Sequence, residues 1–204
     1  MRESAPITPV PDLELAERSL AGDLDAYSQL VRRHQARVFQ TIYAMVRDRD
    51  DADDLAQETF LKAYRSLAQF GGRSQFYTWI YRIAVNQSLD WMKARNRRRD
   101  APLEQADQDP RGQVENTDTR VLQRELNELL EAALDQLAPE YRAAVVMREV
   151  DGRAYEEIAL LLNCSIGTVK SRLFRARTQL RGLLADVYGE VVRPGSGCTT
   201  GQGL

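Results

Sequence analysis

The sequence predicts an all-α protein made of two small helical domains joined by a flexible acidic linker. Three observations carry that expectation. Apolar residues recur at steps of three and four through the long segments, and no stretch alternates convincingly as a strand would. The stretch Tyr155 to Arg181, YEEIALLLNCSIGTVKSRLFRARTQLR, reads as helix, tight turn, helix. Charge is segregated along the chain. Gly71 to Arg99 holds seven Lys or Arg against one acid, Asp90, while Asp100 to Asp135 holds ten acids against three Arg. Ile166 to Ala185 then holds five bases and no acid. The net charge of −2 conceals this pattern, which suggests two nucleic-acid-facing surfaces and an acidic spacer. A length of 204 residues suits one domain or two small ones.

Residues 1–11 include three prolines and are expected to be a disordered lead-in. A first helix begins at Asp12. A second, Ala26 to Val46, carries Tyr27, Leu30, Val31, Val38, Ile42 and Met45 as its apolar set. His34 falls among Arg32, Arg33 and Arg37 and is assigned to a solvated face. In DRDDADDLAQETFLKAYRSL, from Asp48 to Leu67, Asp50 or Asp51 is expected to cap a third helix, with Asp53 and Asp54 also placed near the positive end of its dipole. Ala52, Leu55, Ala56, Thr59, Phe60, Ala63, Tyr64 and Leu67 form the predicted inward stripe. Asp54, Gln57, Glu58, Leu61 and Lys62 point outward, and an acidic face with an exposed leucine suits a protein partner. Capping accounts for the carboxylates more simply than a metal does.

Phe70 to Arg99 opens with Gly71 and Gly72, which permit a loop, and Ser74 is placed to cap the following helix. That helix interleaves Phe76, Tyr77, Trp79, Tyr81 and Trp91 with Arg73, Arg82, Lys93, Arg95 and Arg97 to Arg99. Single-stranded DNA needs this mixture: bases neutralise phosphates, and flat rings accept unstacked bases at about 1–3 kcal/mol each. Trp79 suits either core or stacking. Phe70 and Tyr77, next to the glycine loop, are expected to be exposed.

Residues 100–119 contain Pro102, Pro110, Gly112 and many acids and read as the linker. Val121 to Leu137 returns to a leucine-rich helical period, and Pro139 suits the first position of the next helix. Asp151-Gly152 ends that helix. In the helix-turn-helix, Ile158, Ala159 and Leu162 share one face, and Val169, Leu173, Ala176 and Leu180 form the stripe of the second helix. Asn163 sits at the reversal and Ser165 at the cap. The remaining surface of the second helix carries Lys170, Arg172, Arg175, Arg177 and Arg181, which suits a DNA major groove. The end of the chain, residues 189–204, is rich in Gly, Ser and Thr and is expected to be mobile.

Several classes are disfavoured. Two cysteines, Cys164 and Cys198, do not make a disulfide framework. Cys164 is read as a small buried side chain and Cys198 as exposed. A single histidine leaves no zinc set and no His-based nucleophilic pair. No apolar run approaches the ~20 residues of a membrane span, and the N-terminus lacks a basic-then-apolar signal, so a cytoplasmic protein without membrane insertion is expected.

Three segments in order, DADDLAQETFLKAYRSL, FYTWIYRIAVNQSLDWMKARNRR and YEEIALLLNCSIGTVKSRLFRAR introduced by LAPEYRAAVVMREVDG, resemble the RNA polymerase σ factors of the extracytoplasmic-function group, over roughly Asp12 to Tyr188. The resemblance implies a σ2 domain at 12–99 and a σ4 domain at 120–188, with no further domain between them. It implies that Asp54, Gln57, Glu58 and Leu61 meet the clamp coiled coil of core RNA polymerase. Phe70, Gly71, Gly72, Arg73, Ser74 and Asn86, with the neighbouring Phe76, Tyr77 and Trp79, would handle a base flipped from the −10 element. Lys170, Ser171, Arg172, Phe174, Arg175 and Arg177, with Ser165 and Thr168 at the helix start, would face the −35 element, supported by Arg148. It further implies core RNA polymerase and promoter DNA as partners, an anti-σ factor, a stress- or envelope-responsive regulon, and no cofactor, metal or catalytic chemistry. A free-standing helix-turn-helix regulator would explain Tyr155 to Arg181 but not Phe70 to Arg99. A nucleic-acid enzyme using Asp50 to Glu58 is the other alternative.

Overall fold

The computed structural model describes residues 10–99 and 128–191. The expected linker at 100–119, the lead-in before residue 10 and the tail with Cys198 lie outside the described residues. Regular structure among the described residues is helical throughout: α1 (Asp12–Leu20), α2 (Leu24–Val46), α3 (Arg49–Arg65), α4 (Phe76–Arg99), α5 (128–135), α6 (Pro139–Val145), α7 (Tyr155–Leu161) and α8 (Ile166–Val191). The all-α expectation holds.

In the N-terminal half α2 is the central helix, packed on α1, α3 and α4. Its every-fourth-residue stripe Leu30, Val38 and Ile42 is fully buried, and Leu15, Phe76 and Ile80 close over it at no more than 1 % exposure. Burying each such side chain contributes about 1.5–3 kcal/mol before entropy is counted. Asp23 caps α2 by accepting the Ala26 N–H at 3.0 Å. The chain leaves α2 through Arg47 in the left-handed region (φ 62°). That turn puts Asp48, rather than Asp50 or Asp51, at the cap of α3, where its Oδ1 accepts the N–H groups of Asp50 at 2.9 Å and Asp51 at 3.1 Å. Asp51 is left in the first turn, and its carboxyl is pushed above the usual range by partial burial and then by the Asp48 charge.

Two side-chain assignments differ from expectation here. His34 is 7 % exposed, not solvated: it lies in step with Leu30 and Val38, its Nε2 is 2.8 Å from Asp12 Oδ2, and its ring packs on Phe76 and Tyr77. Tyr64, assigned to the inward stripe, is 40 % exposed and meets Tyr27 edge-on. Tyr27 occupies the inner position instead and donates its hydroxyl to the Phe60 carbonyl.

In the C-terminal half α6 and α7 pack on α8. Met147, Ile158, Val169, Leu173 and Ala176 are at most 2 % exposed and form its centre. Pro139 opens α6 as expected. After α6 the backbone widens into a π-type turn, Val146–Val150, in which the Asp151 N–H reaches the Val146 carbonyl. Asn163 turns the chain at φ 48°, and Ser165 Oγ accepts the Thr168 N–H at 3.1 Å, so the reversal between α7 and α8 forms as the sequence implied.

The halves touch. Buried apolar residues form one continuous cluster through both, α4 meets α6, and α2 meets Val146–Val150. Arg142 of α6 is 7 % exposed; its Nη1 donates to the Met45 carbonyl at 3.0 Å and pairs with Asp135 at 2.9 Å. Lys93 pairs with Glu140 at 3.2 Å, and Arg47 pairs with Glu131.

Candidate nucleic-acid interface

The stripe that buries Val169, Leu173 and Ala176 leaves Lys170, Ser171, Phe174, Arg175 and Arg177 on the outer face of α8. Phe174 is 71 % exposed, an apolar group among bases. Such a ring suits contact with a thymine methyl, and the guanidinium groups suit guanine edges and phosphates. Arg175 Nη1 donates to the Tyr141 hydroxyl at 3.3 Å, which ties it to α6. Arg177 is paired with Glu149 at 2.6 Å, an exposed ion pair that DNA phosphate could displace. Arg172 turns inward, with its Nη1 3.8 Å from Cys164 Sγ; Cys164 is only partly buried. Ser165 and Thr168 bond to each other at 2.9 Å as well as through the cap, and Ser171 donates to the Thr168 carbonyl. Their hydroxyls are therefore committed to forming the helix start. Arg148 is spent similarly: it donates to the Arg153 carbonyl at 2.8 Å and lies over the Tyr155 ring at 5.0 Å.

The second surface is built at the start of α4. Gly71 (φ 54°) and Gly72 (φ 66°) turn the chain, and Arg73, Ser74 and Asn86 are exposed. Phe70 and Tyr77 are not: they are 7 % and 8 % exposed, against the expectation for both. A short 3-10 turn, Leu67–Gln69, folds Phe70 back onto Phe76 and Trp79, with ring centroids 5.4 and 5.5 Å away. Tyr77 is covered by Arg37, whose guanidinium carbon sits 3.9 Å from the ring centroid. Phe76, at 1 % exposure, is core as well. These rings support the loop from beneath. Trp79, half-buried, is the aromatic that still shows an edge to solvent, beside exposed Arg82. Ser74 does not cap α4; its hydroxyl points to the Gln75 carbonyl at 3.4 Å.

Sequence reasoning also missed the role of α1, whose Leu13 reaches the glycine loop. A Cβ on Gly72 would lie 2.9 Å from Leu13 Cδ1. Because Leu13 is 45 % exposed and can swing away, the positive φ is the larger obstacle. Gly72→Ala is expected to cost about 1–2 kcal/mol in urea unfolding. The same loss, within about 0.5 kcal/mol, is expected in a Leu13→Ala background. A full recovery there would make the contact with Leu13, not the backbone, the source.

On α3, Asp54, Gln57, Glu58 and Leu61 are all exposed on one side, Leu61 at 57 %. Among the described residues no group of three or more His, Cys, Asp or Glu is placed to hold a metal, and no helix is long and apolar enough to cross a membrane.

A helix-turn-helix with a basic outer face, coupled to a second helix dense in Arg and aromatics, defines a helical DNA-binding protein. Comparison with known proteins narrows the class. The family model "Sigma-70 region 2" matches residues 30–98, and "Sigma-70, region 4" matches residues 127–180. The chain is 38 % identical over 192 residues to the RNA polymerase sigma-H factor of Pseudomonas aeruginosa, covering 90 % of this chain and 99 % of that one. It is 39 % identical over 173 residues to the ECF RNA polymerase sigma-E factor of Escherichia coli, covering 81 % and 90 %. Among solved structures it resembles CnrH in complex with the cytosolic domain of CnrY (27 % identity, TM-score 0.59, covering 86 % and 97 %). It also resembles RpoE in complex with the anti-sigma factor NepR from Bartonella quintana (26 %, TM-score 0.56, covering 78 % and 96 %). The chain belongs to the sigma-70 family of RNA polymerase sigma factors, in its extracytoplasmic-function group. It is a promoter-specificity subunit.

Proposed function

We propose that residues 12–99 act as σ2 and residues 120–188 as σ4, each with its own promoter element. The exposed face of α8, with Lys170, Phe174, Arg175 and Arg177, enters the major groove of the −35 element. The loop from Phe70 to Ser74, with Trp79 and Asn86, holds a base of the −10 non-template strand; Phe76 and Tyr77 stiffen it. Asp54, Gln57, Glu58 and Leu61 on α3 dock on core polymerase. The protein works in the cytoplasm, performs no catalysis itself, and is bound by an anti-σ factor; the complex of RpoE with the anti-sigma factor NepR from Bartonella quintana supports that last part. The observation that carries the reading is the exposed basic face of a helix in each half, α4 and α8, over a largely apolar helical interior.

The test is run-off transcription with core polymerase on a promoter library. Transcripts that require the protein give both element sequences at once; silence from folded, inhibitor-free protein would sink the proposal. On a promoter so identified, Arg175→Ala is expected to lower −35-dependent transcription roughly fivefold to a hundredfold, the equivalent of about 1–3 kcal/mol for a lost bidentate contact. Core binding, read by gel filtration, should stay unchanged. Equal activity of the variant would remove Arg175 from the reading face.

A further inference from the structure

The loop that opens α4 contains two consecutive glycines at positive φ, Gly71 at 54° and Gly72 at 66°, and so has little stiffness of its own. Whatever fixes its shape must come from its neighbours. One neighbour is the aromatic floor of Phe70, Phe76 and Trp79. The other is the start of α1, where Leu13 lies against Gly72. That start is weakly held by local structure. α1 is only nine residues long, and Pro11 stands at its N-cap with no side-chain cap bond. A helix that short is marginal alone and takes its place from tertiary contacts.

Those contacts converge on His34. Its Nε2 is 2.8 Å from Asp12 Oδ2, and because a carboxylate only accepts, the imidazole is the donor. Asp12 Oδ1 pairs with Arg33, which also donates to the Val10 carbonyl at 2.9 Å. The His34 ring packs on Phe76, with centroids 5.5 Å apart, and stacks on Tyr77 at 5.9 Å. Phe76 in turn meets Phe70 at 5.4 Å and Trp79 at 5.7 Å, and Phe70 immediately precedes Gly71. The path therefore closes on itself. From Asp12 it runs through His34 and Phe76 to Phe70 on one side of the loop, and through the adjoining Leu13 to Gly72 on the other. A buried imidazole is costly without a hydrogen-bond partner, and a phenylalanine would fill similar space without needing one. Any flat ring could pack here; the bond to Asp12 is what calls for a histidine.

We propose that His34 is a positioning residue for −10 recognition: it ties the start of α1 to the rings beneath the glycine loop, and so holds the loop in the shape that receives a base. The side chain touches no DNA in this role and acts through Phe76, Phe70 and Leu13. Asp12 is the other half of the same tie. The inference rests on the assignment of this loop to the −10 base, and it adds the residues, away from that surface, on which the loop's shape depends.

Asp12→Ala and His34→Phe each break the tie, and the second keeps a flat ring against Phe76 and Tyr77. Two readouts are taken on the full chain. The first is Trp79 emission in a Trp91→Phe background, which leaves Trp79 as the single tryptophan. Each variant should shift it to the red as Phe70 and Phe76 loosen around it. The second is the affinity of holoenzyme, formed with core polymerase, for a fluorescein-labelled single strand carrying the −10 sequence recovered by run-off. Each variant should weaken it by about threefold or more, and the double variant by no more than about twofold beyond the worse single, because both residues act through one bond. Core binding by gel filtration should not change, which separates a misplaced loop from a lost fold. Asp12→Ala, at a partly exposed helix start, serves if His34→Phe fails to fold. Unchanged emission in folded variants overturns the proposal, as does shifted emission with unchanged affinity, or losses that multiply in the double variant. If wild-type holoenzyme does not bind the strand, the −10 assignment fails and takes the proposal with it, whereas a strand bound equally by all variants sinks the tie alone.

Discussion

Leu173→Ala is expected to destabilise the C-terminal half by about 2–5 kcal/mol, the range for removing a leucine side chain from a well-packed interior. Leu173 is 2 % exposed and is central to the stripe of α8, one turn from Val169 and Ala176, both fully buried. It packs where α6 and α7 converge on α8. Small domains have marginal stability in total, so a loss of this size unfolds a substantial fraction of the chain. Thermal unfolding followed by circular dichroism should shift downward by several degrees, and −35-dependent transcription should fall with it. Leu173→Met conserves volume and should cost less than about 1.5 kcal/mol. A stable Leu173→Ala variant would mean that the helix-turn-helix is not held by this stripe.

The second large effect is expected at α3. Asp54 and Glu58 are four residues apart on one exposed face, where like charges repel and cost the helix a few tenths of a kcal/mol. A surface chosen for helix stability would not place them so. Replacing both with Lys keeps the repulsion within the helix and reverses only the sign presented to a partner. Asp54→Lys with Glu58→Lys is therefore expected to leave the unfolding midpoint nearly unchanged while weakening binding to core polymerase at least tenfold, or about 1.4 kcal/mol. Part of the loss should fade as ionic strength rises, because exposed charges are screened within about 8–10 Å at 0.1–0.15 M. Undiminished binding would take this face out of the interface.

What could be read in the sequence divides along physical lines. The helix-turn-helix was legible because its signals are local: Asn163 able to turn left-handed, Ser165 able to cap and the stripe in α8 all lie between Asn163 and Leu180, and each formed. The cap of α3 was missed by two or three positions because Arg47, an unexceptional residue in sequence, adopts a left-handed conformation and shifts the helix start to Asp48. His34 was misplaced by its arginine neighbours, although its step of four from Leu30 and to Val38 carried the correct signal. Phe70 and Tyr77 were misjudged because composition does not say which ring of an aromatic cluster lies beneath the others. The contacts between the halves were not legible at all. Tyr81 and Asp151 are 70 residues apart, Met45 and Arg142 are 97, and no periodicity links such pairs.

The Nε of Arg142 is buried without a hydrogen-bond partner among the described residues. Burial holds this guanidinium below its usual pKa even with Asp135 alongside. A buried donor left unmet costs about 1–3 kcal/mol, more when charged, so this contact is weaker than the two short bonds of Nη1 alone suggest. The seam between α2 and α6 thus contains its own incentive to hydrate. Any loosening there lets solvent reach that nitrogen and returns part of the cost.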